Sequence, residues 1–149
     1  MINEVDLKDI ENIVLDSGVI IEYFKKGSTN IKKILRKHFF NENRSIQLHG
    51  HYLLKSEIFY ITCRSIGIAK AKDIIYKLEK FINYISGKLL FERAGLIKCK
   101  YPIALPDCYS IASGIHCNCP VLFLEENELT EEIIDKLNEE FNSKIYIIT

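Results

Sequence analysis

The stretch "NIVLDSGVIIEYFKKG" (Asn12–Gly27) decides how the rest of the chain is read. Ile13, Val14 and Leu15 form a short apolar run of the kind that fills a buried strand, and Asp16 arrives where the run stops. From Ser17 to Phe24 the apolar residues Val19, Ile20, Tyr23 and Phe24 recur at the spacing of a short helix, which Gly27 ends. A strand passing directly into a helix is the first half of a parallel βα unit. Aspartate is among the best helix N-caps, so Asp16 has an ordinary structural role available. A second role depends on which other acids the fold brings to it.

The pattern repeats outward from that stretch. Ser28 or Thr29 can cap a second helix through Phe40, with Ile31, Ile34, Leu35, His38 and Phe39 inward. "RSIQLHGH" (Arg44–His51) reads as a weak strand followed by a turn. A long helix from Tyr52 to Ser65 stops at Gly67, and another from Lys70 to Ile85 carries Ile74, Ile75, Leu78, Phe81, Ile82 and Ile85 at helical spacing. "LLFERAGLIKCKY" (Leu89–Tyr101) is helical in pattern despite Gly95. Pro106 opens a further helix, because proline is tolerated at the first helical position. "CPVLFLE" (Cys119–Glu125) is a buried strand, "TEEIIDKLNEEF" (Thr130–Phe141) a helix capped by Thr130, and "SKIYII" (Ser143–Ile148) a closing strand. Strands separated by helices predict a parallel sheet covered on both faces, hence an α/β fold. With no linker or repeat, residues 1–149 read as a single domain. Sites in such sheets form at the C-terminal ends of the strands. Asp16 and the Glu125-Glu126 pair both stand at such ends.

Composition narrows the classes. Lys+Arg and Asp+Glu are both 20, which argues against a uniformly basic nucleic-acid binder and leaves local patches of either sign open. No apolar run approaches about 18 residues, so no membrane span is expected. The polar, acidic "MINEVDLKDIEN" is wrong for a signal peptide, and five cysteines without one point to a reducing, cytoplasmic setting. Cys117 and Cys119 form a C-x-C with no second pair, so buried thiols are expected rather than structural zinc.

Several carboxylates stand in costly places. In "YLLKSEIFYITCRS" (Tyr52–Ser65), Glu57 is flanked by Leu53, Leu54, Ile58 and Ile61, on or beside the apolar stripe. Either its head reaches water past the stripe, or a lysine, arginine or metal compensates for a buried charge. Asp107 follows Pro106 in a first helical turn, where the macrodipole favours an acid by about 0.3–1 kcal/mol. Each acid is individually explicable. Together, a strand-end aspartate, a helix glutamate, a Pro-Asp helix start and acids ending a later strand can converge on one sheet edge. There they would repel and their pKa values would rise unless a cation intervened. Oxygen-only ligands favour magnesium or manganese over zinc.

"IVLDSGVIIEYFKKG", "LLKSEIFYITCRSIG" and "ALPDCYSIASGIHCNCPVLFLEENEL" resemble, in order and spacing, the three acidic blocks of PIN-domain ribonucleases, and most of all the VapC-type toxins of toxin–antitoxin pairs. The resemblance implies a PIN-like three-layer α/β/α fold with a central parallel sheet of about four to five strands. It implies Mg2+- or Mn2+-dependent endoribonuclease activity, with Asp16, Glu57, Asp107 and Glu126 as the metal-binding and catalytic acids. Ser17, the hydroxyl residue after the first aspartate, would bond an acid ligand or a phosphate oxygen. Leu124 stands where the family carries a hydroxyl residue before its fourth acid, Gly18 where many members carry Asn or Ser, and Glu125 or Glu128 could serve in place of Glu126.

The family also implies an RNA substrate, a small antitoxin partner and a homodimer, with interfaces expected on the helical hairpin from Tyr52 to Ile85. Lys25, Lys32 and Arg36, within a lysine-rich run, are the candidate RNA contacts, the alternative being a solvated helix face. His49 and His51 are weak metal candidates and are expected to touch RNA or a partner instead. The competing function is a degenerate PIN module that binds RNA or a protein without cutting, a reading the altered fourth acid keeps open.

Overall fold

Strand β1 (Asn12–Leu15) enters helix α1 (Ser17–Phe24) through Asp16 in the computed structural model, which describes residues 1–4 and 6–149. Helix α1 is capped off at Lys25, ahead of Gly27. Helix α2 (Asn30–His38) starts at Thr29, whose hydroxyl accepts the Lys32 amide hydrogen at 3.1 Å. Strand β2 (Gln47–His51) then passes straight into α3 (Tyr52–Ile66), without the turn expected from its sequence. His51 makes this join possible, because its Nδ1 caps the helix by accepting the Leu54 amide hydrogen at 3.1 Å. Helix α3 ends at Gly67, whose φ of 95° suits glycine.

Helix α4 runs only from Ile68 to Leu78, and β3 (Ile82–Ile85) follows it, so the helix expected through Ile85 is corrected here. Ile82 and Ile85 would share one stripe on a helix. On the strand they enter opposite cores. After β3 come α5 (Phe91–Lys100), α6 (Leu105–Cys117), β4 (Val121–Leu124), α7 (Glu131–Phe141) and β5 (Ile145–Ile148).

The five strands lie in the order β3-β2-β1-β4-β5, every neighbouring pair parallel. Alternation along β1 divides the core in two. Ile13 and Leu15 pack with residues of α1, α2, α3 and α4, while Val14 packs with residues of α5, α6 and α7. The result is the expected three-layer α/β/α arrangement. Buried residues such as Leu35, Phe39, Leu48 and Phe123 each contribute about 1.5–3 kcal/mol by leaving water. Among the described residues no helix is long and apolar enough to cross a membrane, and all five cysteines are free thiols.

Strand order reverses beside β1: the chain builds outward through β2 and β3 on one side and through β4 and β5 on the other. The C-terminal ends of β1 and β4 therefore flank a topological switch point, where sheets of this kind open a crevice. Two glycines set how closely helices pack on the sheet. A Cβ on Gly50 would come within 2.7 Å of Leu54 Cδ2, so α3 lies tight against β2. A Cβ on Gly114 would meet the Cys119 carbonyl at 3.0 Å, so α6 returns closely to β4.

Candidate metal centre

Asp16 directly follows β1, its backbone amide bonded to the Leu122 carbonyl of β4 at 3.0 Å. It performs the capping role that its position suggests: Oδ2 accepts the Gly18 amide hydrogen at 3.4 Å. Its other oxygen faces elsewhere. Oδ1 accepts a hydrogen bond from the Ser110 hydroxyl on α6 at 2.8 Å. Asp107, one turn earlier on α6, and Glu126, just beyond β4, complete a group. Asp16, Asp107 and Glu126 each offer one carboxylate oxygen, all within 4.8 Å of one another. Asp16 and Asp107 are buried and Glu126 is half-buried.

Helix α6 must begin at this edge because it feeds the N-terminal end of β4 at the other. Pro106 near its start needs no intrahelical donor, and Asp107 occupies the first turn. Helix α3 likewise starts at this edge and carries Glu57, which is half-buried and accepts a hydrogen bond from the Ser17 hydroxyl at the start of α1. Glu57 stands outside the 4.8 Å trio, yet its charge acts on all three members.

The electrostatics are those of acids without a partner. Burial, then the Asp107 charge, pushes the Asp16 carboxyl up to about 7 against the pull of the Ser110 bond. Burial and the neighbouring Glu126 push Asp107 up, and burial and Asp16 push Glu126 up. A helix N-terminus favours the charged form by about 0.3–1 kcal/mol at the surface and up to about 2 kcal/mol where partly buried, yet at Asp107 burial and like charge win. Among the described residues no lysine or arginine forms an ion pair with Asp16, Asp107 or Glu126. A close set of oxygen donors with unanswered negative charge fits a hard divalent cation.

The remaining candidates fall in several places. Glu125 and Glu128 are exposed, although the Glu128 charge reaches Asp107 and Glu126. Leu124, in place of a hydroxyl residue, packs near Gly18. Lys25 stands at the C-terminal end of α1, a helix of eight residues and so about 12 Å long, and Lys32 and Arg36 lie on α2. Lys25 pairs with Glu22 at 3.3 Å, and Lys32 donates to the Lys25 and Gly27 carbonyls, the latter at 2.8 Å, closing the link between α1 and α2. Arg36 is exposed on α2.

His49 meets Asn12 Oδ1 at 2.9 Å. His51 is 1% exposed, too deep for the RNA or partner contact expected of it. It bonds Ser110 Oγ through Nε2 at 3.0 Å. Sequence reasoning passed over Ser110 and singled out His51 for a different contact. The legible signal was a histidine directly before the first helical residue, a position at which a ring nitrogen can cap.

Comparison with curated proteins gave no match. In solved structures the fold recurs. VapBC2 from Rickettsia felis, bound to a DNA fragment from its promoter, aligns with a TM-score of 0.64 at 10% identity over 91% of this chain and 98% of the other. DNA-bound VapBC from Salmonella typhimurium aligns with a TM-score of 0.61 at 12% identity, covering 93% and 98%. A toxin–antitoxin complex from Klebsiella pneumoniae aligns with a TM-score of 0.57 at 13% identity, covering 80% and 91%. The PIN domain family matches residues 13–132. PIN domains are nucleases generally, which supports a hydrolase acting on nucleic acids. Matched across most of its length, with acids gathered at the switch point of the sheet, this chain belongs to the PIN domain family.

Proposed function

We propose that this protein is a divalent-metal-dependent endoribonuclease and the VapC-type toxin of a VapBC-type pair, a single PIN-like domain over residues 1–149. The observation that carries the proposal is the convergence of Asp16, Asp107 and Glu126 within 4.8 Å, from separate parts of the chain, with no lysine or arginine among the described residues in an ion pair with them. Asp16, Asp107 and Glu126 would hold one or two Mg2+ or Mn2+ ions, with Glu57 completing the acidic set. A divalent ion there supplies Lewis acidity to the scissile phosphate and acidifies the attacking water. The acids give up their protons to bind it, and the raised pKa of Asp16 places that exchange near neutral pH. Ser17 holds the Glu57 carboxylate in place.

The neighbours in fold include a toxin–antitoxin complex and VapBC assemblies, which supports a small antitoxin as partner. Exposed apolar side chains on α3 and α4, among them Tyr60, Ile66, Ile68 and Tyr76, offer a surface for that partner or for a second copy. A cytoplasmic setting, where RNA and reduced thiols occur together, belongs to the same reading.

The test incubates purified protein with structured and unstructured RNA in Mn2+, in Mg2+ and in EDTA. Cleavage is expected with metal, absent with EDTA, absent in Asp16→Asn, and retained in Lys32→Ala. Cleavage that survives Asp16→Asn sinks the metal-centre assignment. RNA binding without cleavage favours the module that binds and does not cut.

A further inference from the structure

Two serines one turn apart on α6 behave differently. The Ser113 hydroxyl donates to the Tyr109 carbonyl of its own helix at 2.7 Å, the usual outlet for a serine inside a helix. The Ser110 hydroxyl leaves its helix and donates to Asp16 Oδ1 at 2.8 Å, across 94 residues of sequence. Its oxygen is also 3.0 Å from His51 Nε2, at the junction of β2 and α3.

The direction of this chain of bonds follows from one further contact. The Leu54 amide can only donate, and it points at His51 Nδ1 from 3.1 Å, so that nitrogen carries no proton. Burial pushes the imidazole down to about 4, so the ring is neutral near pH 7. A neutral ring with a bare Nδ1 has its hydrogen on Nε2, facing Ser110 Oγ. The serine oxygen accepts that hydrogen and has one hydrogen of its own, for which Asp16 is the acceptor. Ser110 is 0% exposed and His51 1%, so water does not compete for either bond. The Tyr109 ring, its centroid 5.7 Å from that of His51, helps confine the imidazole.

We propose that His51 and Ser110 are positioning residues for the metal centre: the imidazole orients the Ser110 hydroxyl, and the hydroxyl orients the Asp16 carboxylate toward a hard divalent cation. This rests on the reading of the acidic trio as a metal site. It adds the means by which one ligand is aimed. The Ser110 bond occupies one lone pair of Oδ1 and the Gly18 amide one of Oδ2, leaving the carboxylate fixed at two points with the remaining lone pairs free. Partners of this kind typically change metal affinity by about 10–100-fold.

The experiment titrates Mn2+ alone into metal-free protein and follows free Mn2+ by electron paramagnetic resonance, for wild type, Ser110→Ala, His51→Phe, the double variant and His51→Gln. Each of the first two substitutions is expected to weaken Mn2+ binding by about tenfold. Because the two residues act in series, the double variant is expected to bind no more weakly than Ser110→Ala, whereas independent structural damage would multiply. His51→Gln, which still offers an N–H to Ser110, is expected to recover most of the loss. Should His51→Phe fail to fold, wild type against Ser110→Ala decides alone. Unchanged binding in Ser110→Ala overturns the proposal, as does multiplication of the two effects in the double variant. A wild type that binds no Mn2+ overturns the metal reading and this inference together. Binding without RNA cleavage overturns the nuclease reading and leaves this one standing.

Discussion

A single surface carboxylate and a buried group of three are shifted in opposite directions in this molecule. At the surface, Glu4 accepts hydrogen bonds from Lys37 and His38, which hold its carboxyl down at about 2. At the switch point, Asp16, Asp107 and Glu126 are pushed up by burial and by one another. The side-chain chemistry is the same, so the difference lies in who answers the charge. Around Glu4 the protein answers it. Around the trio the described residues supply further acids and no lysine or arginine ion pair.

The largest expected effect comes from deleting one charge of the inner group. Asp107→Asn should lower Mn2+-dependent RNA cleavage by more than about 100-fold, beyond the range for residues that merely support a ligand. The same substitution relieves repulsion in the metal-free state, so the melting temperature without metal should hold steady or rise at pH 8. A clear fall there would break the contrast, because it would mean that the carboxylate was answered by the fold.

Next comes pH. Unfolded carboxyls titrate near 4, and the Asp16 carboxyl titrates up to about 7 in the folded protein. Between those values the native state binds more protons than the unfolded state, so stability falls as pH rises. Metal-free protein should therefore lose melting temperature from about pH 4 to about pH 7, and saturating Mn2+ at the upper end should restore it by binding only the folded form. Glu4 carries the reverse sign, its contribution present above about pH 4 and lost as pH falls toward 2. Thermal melts in EDTA across this range would sharpen the contrast, and a curve that rises through neutrality would break it.

The smallest effect is expected at the surface. Glu4→Gln should shift the urea midpoint only slightly, as loss of an exposed ion pair does, and leave cleavage unchanged.

Much of this was legible in the chain. The passage of β1 through Asp16 into α1, the proline start of α6 and the Thr130 cap of α7 were written in local signals, and the structure follows them. The failures were equally physical. Phe81, Ile82 and Ile85 extend the helical spacing of Ile74 and Leu78, yet a four-residue strand satisfies the same burial by sending Ile82 to one face and Ile85 to the other. Periodicity alone does not separate those cases over so short a segment. The acids of the trio were each visible, and their distances were not, since these depend on strand order. The role of His51 was hidden for another reason: histidine is not a usual cap, and a polar residue beside glycine reads as a turn.

The order in which the acids occur along the chain has a consequence for synthesis. Asp16 emerges from the ribosome early, and Glu126 follows β4, whose backbone accepts the Asp16 amide hydrogen. A nascent polypeptide that has exposed β1, α3 and α6 still lacks the strand that brings the last acid into place. An incomplete chain, left behind by a stalled ribosome or a premature stop, would on this reading be harmless to the RNA around it.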